Sequence, residues 1–143
     1  MPSKSQKFRV RLTKFFQMLE ASFPEDKELK HYGDKLIFGL DSNPSSVIRL
    51  IMSHIEPYAT HIIKGDDSYL VNADTSHLEN SDDWTSILSK LQNLWLEMSD
   101  RFKEIVRNNL LILLILGTQV TRNRELLSLI NSNRSPDNQL GFD

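Results

Sequence analysis

The sequence predicts an all-α protein: a compact bundle of six or seven helices around a buried central apolar helix at about residues 100–116. Three observations predict it. Leu110 to Leu116 reads LLILLIL, and a helix that is apolar all round is expected to be covered on every side. Such a run rises only about 10 Å, far short of the roughly 20 apolar residues that cross a bilayer, so its cover should be other helices. Elsewhere the apolar residues recur at steps of three and four, and no segment alternates apolar and polar for long.

A chain of 143 residues, 39% hydrophobic and 25% charged, is one ordinary domain with enough material for a real core. The expected division is a single helical domain over residues 1–131, with a basic N-terminal arm (1–14) and an acidic loop (65–81), followed by a polar tail (132–143). There is no cysteine, which excludes a disulfide scaffold, a thiolate zinc site and a cysteine nucleophile. The start MPSKSQKFRVRL lacks an apolar h-region, so an intracellular protein without a secretory signal is expected. Net charge is -2, too little to draw the whole molecule to nucleic acid.

The elements follow in order. Phe8, Leu12, Phe15, Phe16 and Leu19 lie on one face of a first helix. Pro24, followed by Glu25, Asp26 and Glu28, is expected in the first turn of a second helix carrying Leu29, Tyr32, Leu36, Ile37 and Leu40 and ending near Gly39. Asn43-Pro44 is the clearest helix start, a cap followed by a proline at the first helical position. Val47, Ile48, Ile51, Met52 and Ile55 form the face of that third helix, and Pro57 bends the chain at Glu56. A short helix from Tyr58 to Lys64 should stop at Gly65. Gly65 to Ser81 is irregular and acidic, with Tyr69-Leu70-Val71 expected to pin it to the core.

Asp82 and Asp83 restart a helix whose apolar face includes Trp84, Ile87, Leu88, Leu91 and Trp95. A single helix from there to Leu116 would be about 50 Å long, too long for a domain with a radius of gyration near 14 Å. A break is therefore expected at Ser99-Asp100, with Ser99 as the next cap and Gly117 as the end. A last helix, roughly Val120 to Asn131, precedes the tail, where Phe142 is the candidate anchor.

No constellation carries recognisable chemistry. His31, His54, His61 and His77 form no HxxxH or HExxH pair, so no metal is expected. Asp66-Asp67 and Asp82-Asp83 suit a turn and a helix N-terminus, and a divalent-cation or acid–base role for them is the competing reading. The glycines are scattered singly and form no phosphate loop. No cofactor, metal or catalytic residue is therefore expected. Charge is segregated: Lys4, Lys7, Arg9, Arg11 and Lys14 precede any acid, while Lys64 to Lys90 encloses only acids. The basic segment interleaves with Phe8, Val10, Leu12 and Phe15, a pattern that suits nucleic acid or an anionic membrane as well as an ordinary first helix.

The order SFPEDKELKHY (Ser22 to Tyr32), NP with an aliphatic helix (Asn43 to Ile55), PY (Pro57, Tyr58) and LWLEMSDRFKEIVRNNLLILLILG (Leu94 to Gly117) resembles the small helical proteins encoded by large nucleocytoplasmic DNA viruses. Those proteins open with a helix ending in Phe-Pro-Glu and place a Trp ahead of a late helix of the form Lys-x-x-Ile-Trp-x-x-Leu. Lys103 and Ile105 stand in the corresponding region, with Val106 where Trp is usual and the spacing one residue shorter. The resemblance covers residues 15 to 117 and implies a viral, virion-associated protein in the infected cell and the virion; it brings no catalytic residues.

The expected function is a non-enzymatic protein–protein interaction or structural module, a minor capsid-associated protein whose partners are other subunits, capsid proteins among them. Lys4, Lys7, Arg9, Arg11, Lys14, Asp66 and Asp67 are the candidate partner-binding residues. The alternative is a nucleic-acid-associated factor using the basic N-terminal helix, and no transmembrane segment is expected.

Overall fold

In the computed structural model, which describes residues 3–71 and 83–133, the chain enters its first helix at Ser3. Gln6 N–H donates to Ser3 Oγ at 3.1 Å and Ser3 N–H donates to Gln6 Oε1 at 2.9 Å, a reciprocal cap for two amides that lack helical partners. Helix α1 (Lys4–Ser22) buries Phe8, Leu12, Phe15, Phe16 and Leu19, the stripe its spacing predicts. The segment expected as a basic arm is thus, from Lys4 onward, the first half of α1, and Phe8 within it is fully buried.

Asp26, not Pro24, opens α2 (Lys27–Ser42): its carboxylate accepts from the N–H groups of Glu28 at 3.2 Å and Leu29 at 3.3 Å. A side-chain acceptor at the N-cap outweighs the preference of proline for a first turn, so Pro24 stays in the connection. Gly39 lies in the last turn of α2, near its end as expected, and its carbonyl accepts from Asn43 N–H. Its missing side chain also admits Val47, whose Cγ2 would lie 3.0 Å from an added Cβ. Asn43 caps α3 (Pro44–Ile55) as expected, accepting from Ser46 N–H at 3.4 Å. The bend at Pro57 is a 3-10 turn, Glu56–Tyr58, and α4 (Ala59–Lys64) stops at Gly65 in the left-handed region, φ 72°.

The acidic segment is not all loop. Asp66 accepts from Ser68 N–H at 2.9 Å and starts the single-turn α5 (Ser68–Val71), where Tyr69 and Leu70 are buried. Residues 72–82, with Asp74, His77, Glu79 and Asp82, lie outside the described residues, as do residues 134–143 of the expected tail with Phe142. Helix α6 (Asp83–Leu94) buries Trp84, Ile87, Leu88 and Leu91. The chain then breaks where expected: a 3-10 turn, Trp95–Glu97, leads to Ser99, whose hydroxyl accepts from Phe102 N–H at 3.1 Å to cap α7 (Asp100–Thr121).

Gly117 does not end α7. The helix passes four residues beyond it and ends against Arg122, which takes the left-handed conformation at φ 57°. Gly117 is a crossing point, since an added Cβ would meet the thioether of Met52 on α3, with Met52 Cγ at 2.8 Å. Asn123 then caps α8 (Arg124–Ser132), so Val120 and Thr121 belong to α7 rather than to the last helix, and Ser132 to that helix rather than to the tail.

Among the described residues there are seven α-helices of six residues or more, one single-turn helix and no strand. The fold is an all-α bundle. Helix α7 packs most extensively on α1 and α3, and also on α4 and α8, while α2 joins α1, α3 and α6. Its core face is Val106, Leu110, Leu113, Leu114, Gly117 and Thr118. The aliphatic run is not covered on every side: Leu111, Ile112, Ile115 and Leu116 are only partly buried. The helices that cover α7 gather on its core side, so its opposite side keeps some contact with water.

Candidate functional site

Three of the five basic candidates, Lys7, Arg11 and Lys14, follow Lys4 at steps of three and four and so share one side of α1. Lys7 and Lys14 are exposed, Lys4 and Arg11 half-buried. Arg9 is diverted: its guanidinium donates to Asp41 at the end of α2, Nε to Oδ1 at 2.6 Å and a terminal nitrogen to Oδ2 at 3.3 Å. The arginine beside it holds the Asp41 carboxyl below its ordinary value. Arg9 thus ties α1 to α2, and the stripe consists of the other four.

Of the two acidic candidates, Asp66 stays exposed at the turn into α5 and Asp67 is turned toward the protein. Asp66 holds the first turn of α5 and lies 4.0 Å from His61 Nε2; the hydrogen bond from Ser68 pulls its carboxyl below the usual range. Asp67 reaches across to the break between α6 and α7. It accepts the indole N–H of Trp95 at 2.9 Å and lies 3.6 Å from the guanidinium of Arg107. Lys103 lies 5.8 Å above the Trp95 ring, on the scale of a cation–π contact. Burial raises the Tyr69 phenol above its ordinary 10.0, with the Asp67 charge adding to the effect. The ring stacks on Tyr58 at 5.1 Å. This cluster anchors the start of the acidic segment to α7. Spacing places Trp95 on an apolar face but reveals neither its pairing with Asp67 nor that of Arg107, because the pairs join residues 28 and 40 positions apart.

Beside this anchor an open cleft of about 570 Å³ lies between α4 and α7. Its apolar wall is Ile62, Ile63, Ile105 and Leu111; Lys64, Arg101 and Arg107 bring positive charge, opposed by Glu104. Along α7, Arg101, Ile105, Asn108, Ile112 and Ile115 recur at steps of four and three, so they share the side opposite the core face. Ile105 is 37% exposed. Among the described residues neither Lys64 nor Arg101 has an ion pair. This outward pattern is readable in the sequence once the run is taken as two-faced.

Two further clefts are lined differently. One, about 680 Å³, lies at the α1–α2 turn, where Lys90 Nζ bridges Asp26 at 3.2 Å and Glu28 at 3.4 Å. Another, about 430 Å³, runs between α1 and α2 over Phe16, Gly33 and Ile37, and is edged by Phe38, which is 73% exposed. Among the described residues no three His, Asp or Glu side chains gather as a metal-binding group, and no helix is long and apolar enough to cross a membrane. Compared with protein-family models, curated proteins and solved structures, the chain matches none.

Proposed function

We propose that this chain is a non-enzymatic protein-interaction module that binds other subunits through its helical surface. The observation that carries the proposal is the outward side of α7, where Ile105, Ile112 and Ile115 stay in partial contact with water on a long, well-packed helix. Apolar side chains held on a rigid element suit recognition of another protein, because little ordering entropy opposes binding. The clefts are open, and their apolar and charged groups are spread along helices rather than converging on one point. A photo-crosslinking residue at Ile105, with a control at Lys35 on α2, tests this in the native cell or particle. Protein adducts specific to position 105 are expected; adducts at neither site, or equal labelling at both, would overturn the proposal. The finer form, a minor capsid-associated protein of a large DNA virus, is supported by the resemblance over residues 15–117. Its test is a constant copy number of the chain in purified particles.

The basic side of α1 favours a second reading, a nucleic-acid-associated factor. Lys4 to Lys14 rise about 15 Å along the helix, a distance that spans several backbone phosphates. Binding of duplex or single-stranded probes should fall steeply with salt and weaken with Lys7→Glu and Lys14→Glu together. No binding at low salt removes this reading.

A further inference from the structure

We infer that the cleft between α4 and α7 is the docking site for an acidic amphipathic helix of a partner protein. The inference rests on the interaction-module reading and supplies the partner's chemistry. Three features of the cleft combine. Its floor is apolar and continuous with the outward side of α7: Ile63 and Leu111 pack on the core, while Ile105 opens to water. From Ile105 the apolar side continues to Ile112, two turns along, which is the length an i, i+3, i+4, i+7 set of anchors covers, while Ile115 beyond it packs partly on the core. Its rim is positive: Lys64 closes one side, Arg101 and Arg107 the other, against the single carboxylate of Glu104.

The rim charges differ in how they are used. Arg107 leans toward Asp67 at 3.6 Å, so part of its charge is spent within the fold. Lys64 and Arg101 are exposed and make no ion pair among the described residues. Lys64, whose charge also acts on the nearby Asp66, and Arg101 flank an apolar floor, select an occupant with leucine-like anchors between carboxylates, and disfavour a basic helix by like-charge repulsion. A second copy of this chain fits less well: its own α7 would bring Arg101 and Arg107 to a rim that is already cationic. The amide of Asn108 sits at the centre of the outward side, where it can pair with a polar side chain and fix the register of the docked helix.

The test uses the full chain and a synthetic capped helix with leucines at i, i+3, i+4 and i+7 flanked by glutamates. A control peptide carries lysines in place of the glutamates. The acidic peptide should bind, with backbone amide shifts confined to α4 and to α7 from Arg101 to Ile115. Lys64→Glu with Arg101→Glu should weaken the acidic peptide about tenfold or more and bring the lysine peptide to comparable affinity. Both substitutions are at exposed positions, and melting curves confirm that the variant folds. Equal binding of the two peptides, no binding of either, shifts centred elsewhere, or a sedimenting dimer protected at Ile105 would each overturn the docking site. Crosslinking at Ile105 separates this failure from failure of the broader reading. A captured neighbour without acidic-peptide preference sinks the site alone, whereas no captured neighbour sinks both.

Discussion

Trp95 donates its indole N–H to Asp67 at 2.9 Å, joining the break between α6 and α7 to the start of the acidic segment. The indole is fully buried and Asp67 is partly open to solvent, so the bond reaches from the core to the surface. Removing the acceptor leaves a buried donor unmet, which costs about 1–3 kcal/mol. Asp67→Ala should therefore lower stability by that order in urea denaturation and red-shift the tryptophan emission. Asp67→Asn keeps an acceptor and should lose less.

Gly117 tests the crossing of α3 over α7. Gly117→Ala drives a methyl group into Met52, and overpacking of this kind destabilises by about 1–3 kcal/mol despite the better helix propensity of alanine. Met52→Ala should cost less in the Gly117→Ala chain than in the parent chain. A double-mutant cycle measures the coupling, and simple additivity would show that the two residues do not press on each other.

The N-terminus is expected to matter for stability. Ser3→Ala removes half of the reciprocal cap at about 1 kcal/mol. Phe8→Ala empties a fully buried site at about 3–5 kcal/mol. Deleting residues 1–7 takes away the cap and most of the first turn, and the melting temperature should fall. An unchanged melting temperature would mean that the first turn is not packed as described.

Stability should decline in alkali through Tyr69. A phenol whose folded pKa is raised above its unfolded value contributes stability below that unfolded value and loses it as pH rises toward the folded one. The decline therefore begins near the ordinary value of 10.0. Tyr69→Phe retains the ring stacked on Tyr58 and should flatten the curve of unfolding free energy against pH above that point.

Local chemistry made the punctuation of this chain readable. Asn43-Pro44, Pro57, Gly65 and Ser99 act through hydrogen bonds and backbone limits that span a few residues, and each falls where the sequence places it. Pro24 and Gly117 misled because their roles depend on partners, and the close packing at Gly39 was hidden for the same reason. Asp26 supplies a better cap than Pro24 supplies a start, Val47 sits against Gly39, and Met52 sits against Gly117. The helix end at Arg122 was hidden for a related reason: a non-glycine residue takes a left-handed conformation that composition does not reveal. The basic segment was split by tertiary contact, since only the fold brings Arg9 to Asp41. Of the acidic pair, Asp67 turned inward because Trp95 and Arg107, remote in sequence, arrive beside it, while Asp66 stays exposed. The aliphatic run identified the most heavily packed helix but not its open side, because hydrophobicity alone does not say how many neighbours a helix has.

Met52 can also serve as a chemical clock. Its sulfur is sealed beneath the α3–α7 crossing, and a thioether shielded from peroxide gains oxygen only when its cover lifts. The rate at which that residue gains oxygen, read by peptide mass, reports how often those two helices part. The sulfoxide is polar and bulkier, so each oxidised molecule would struggle to close again. Repeated oxidative exposure would thus accumulate as loosening at the α3–α7 crossing until the sulfoxide is reduced.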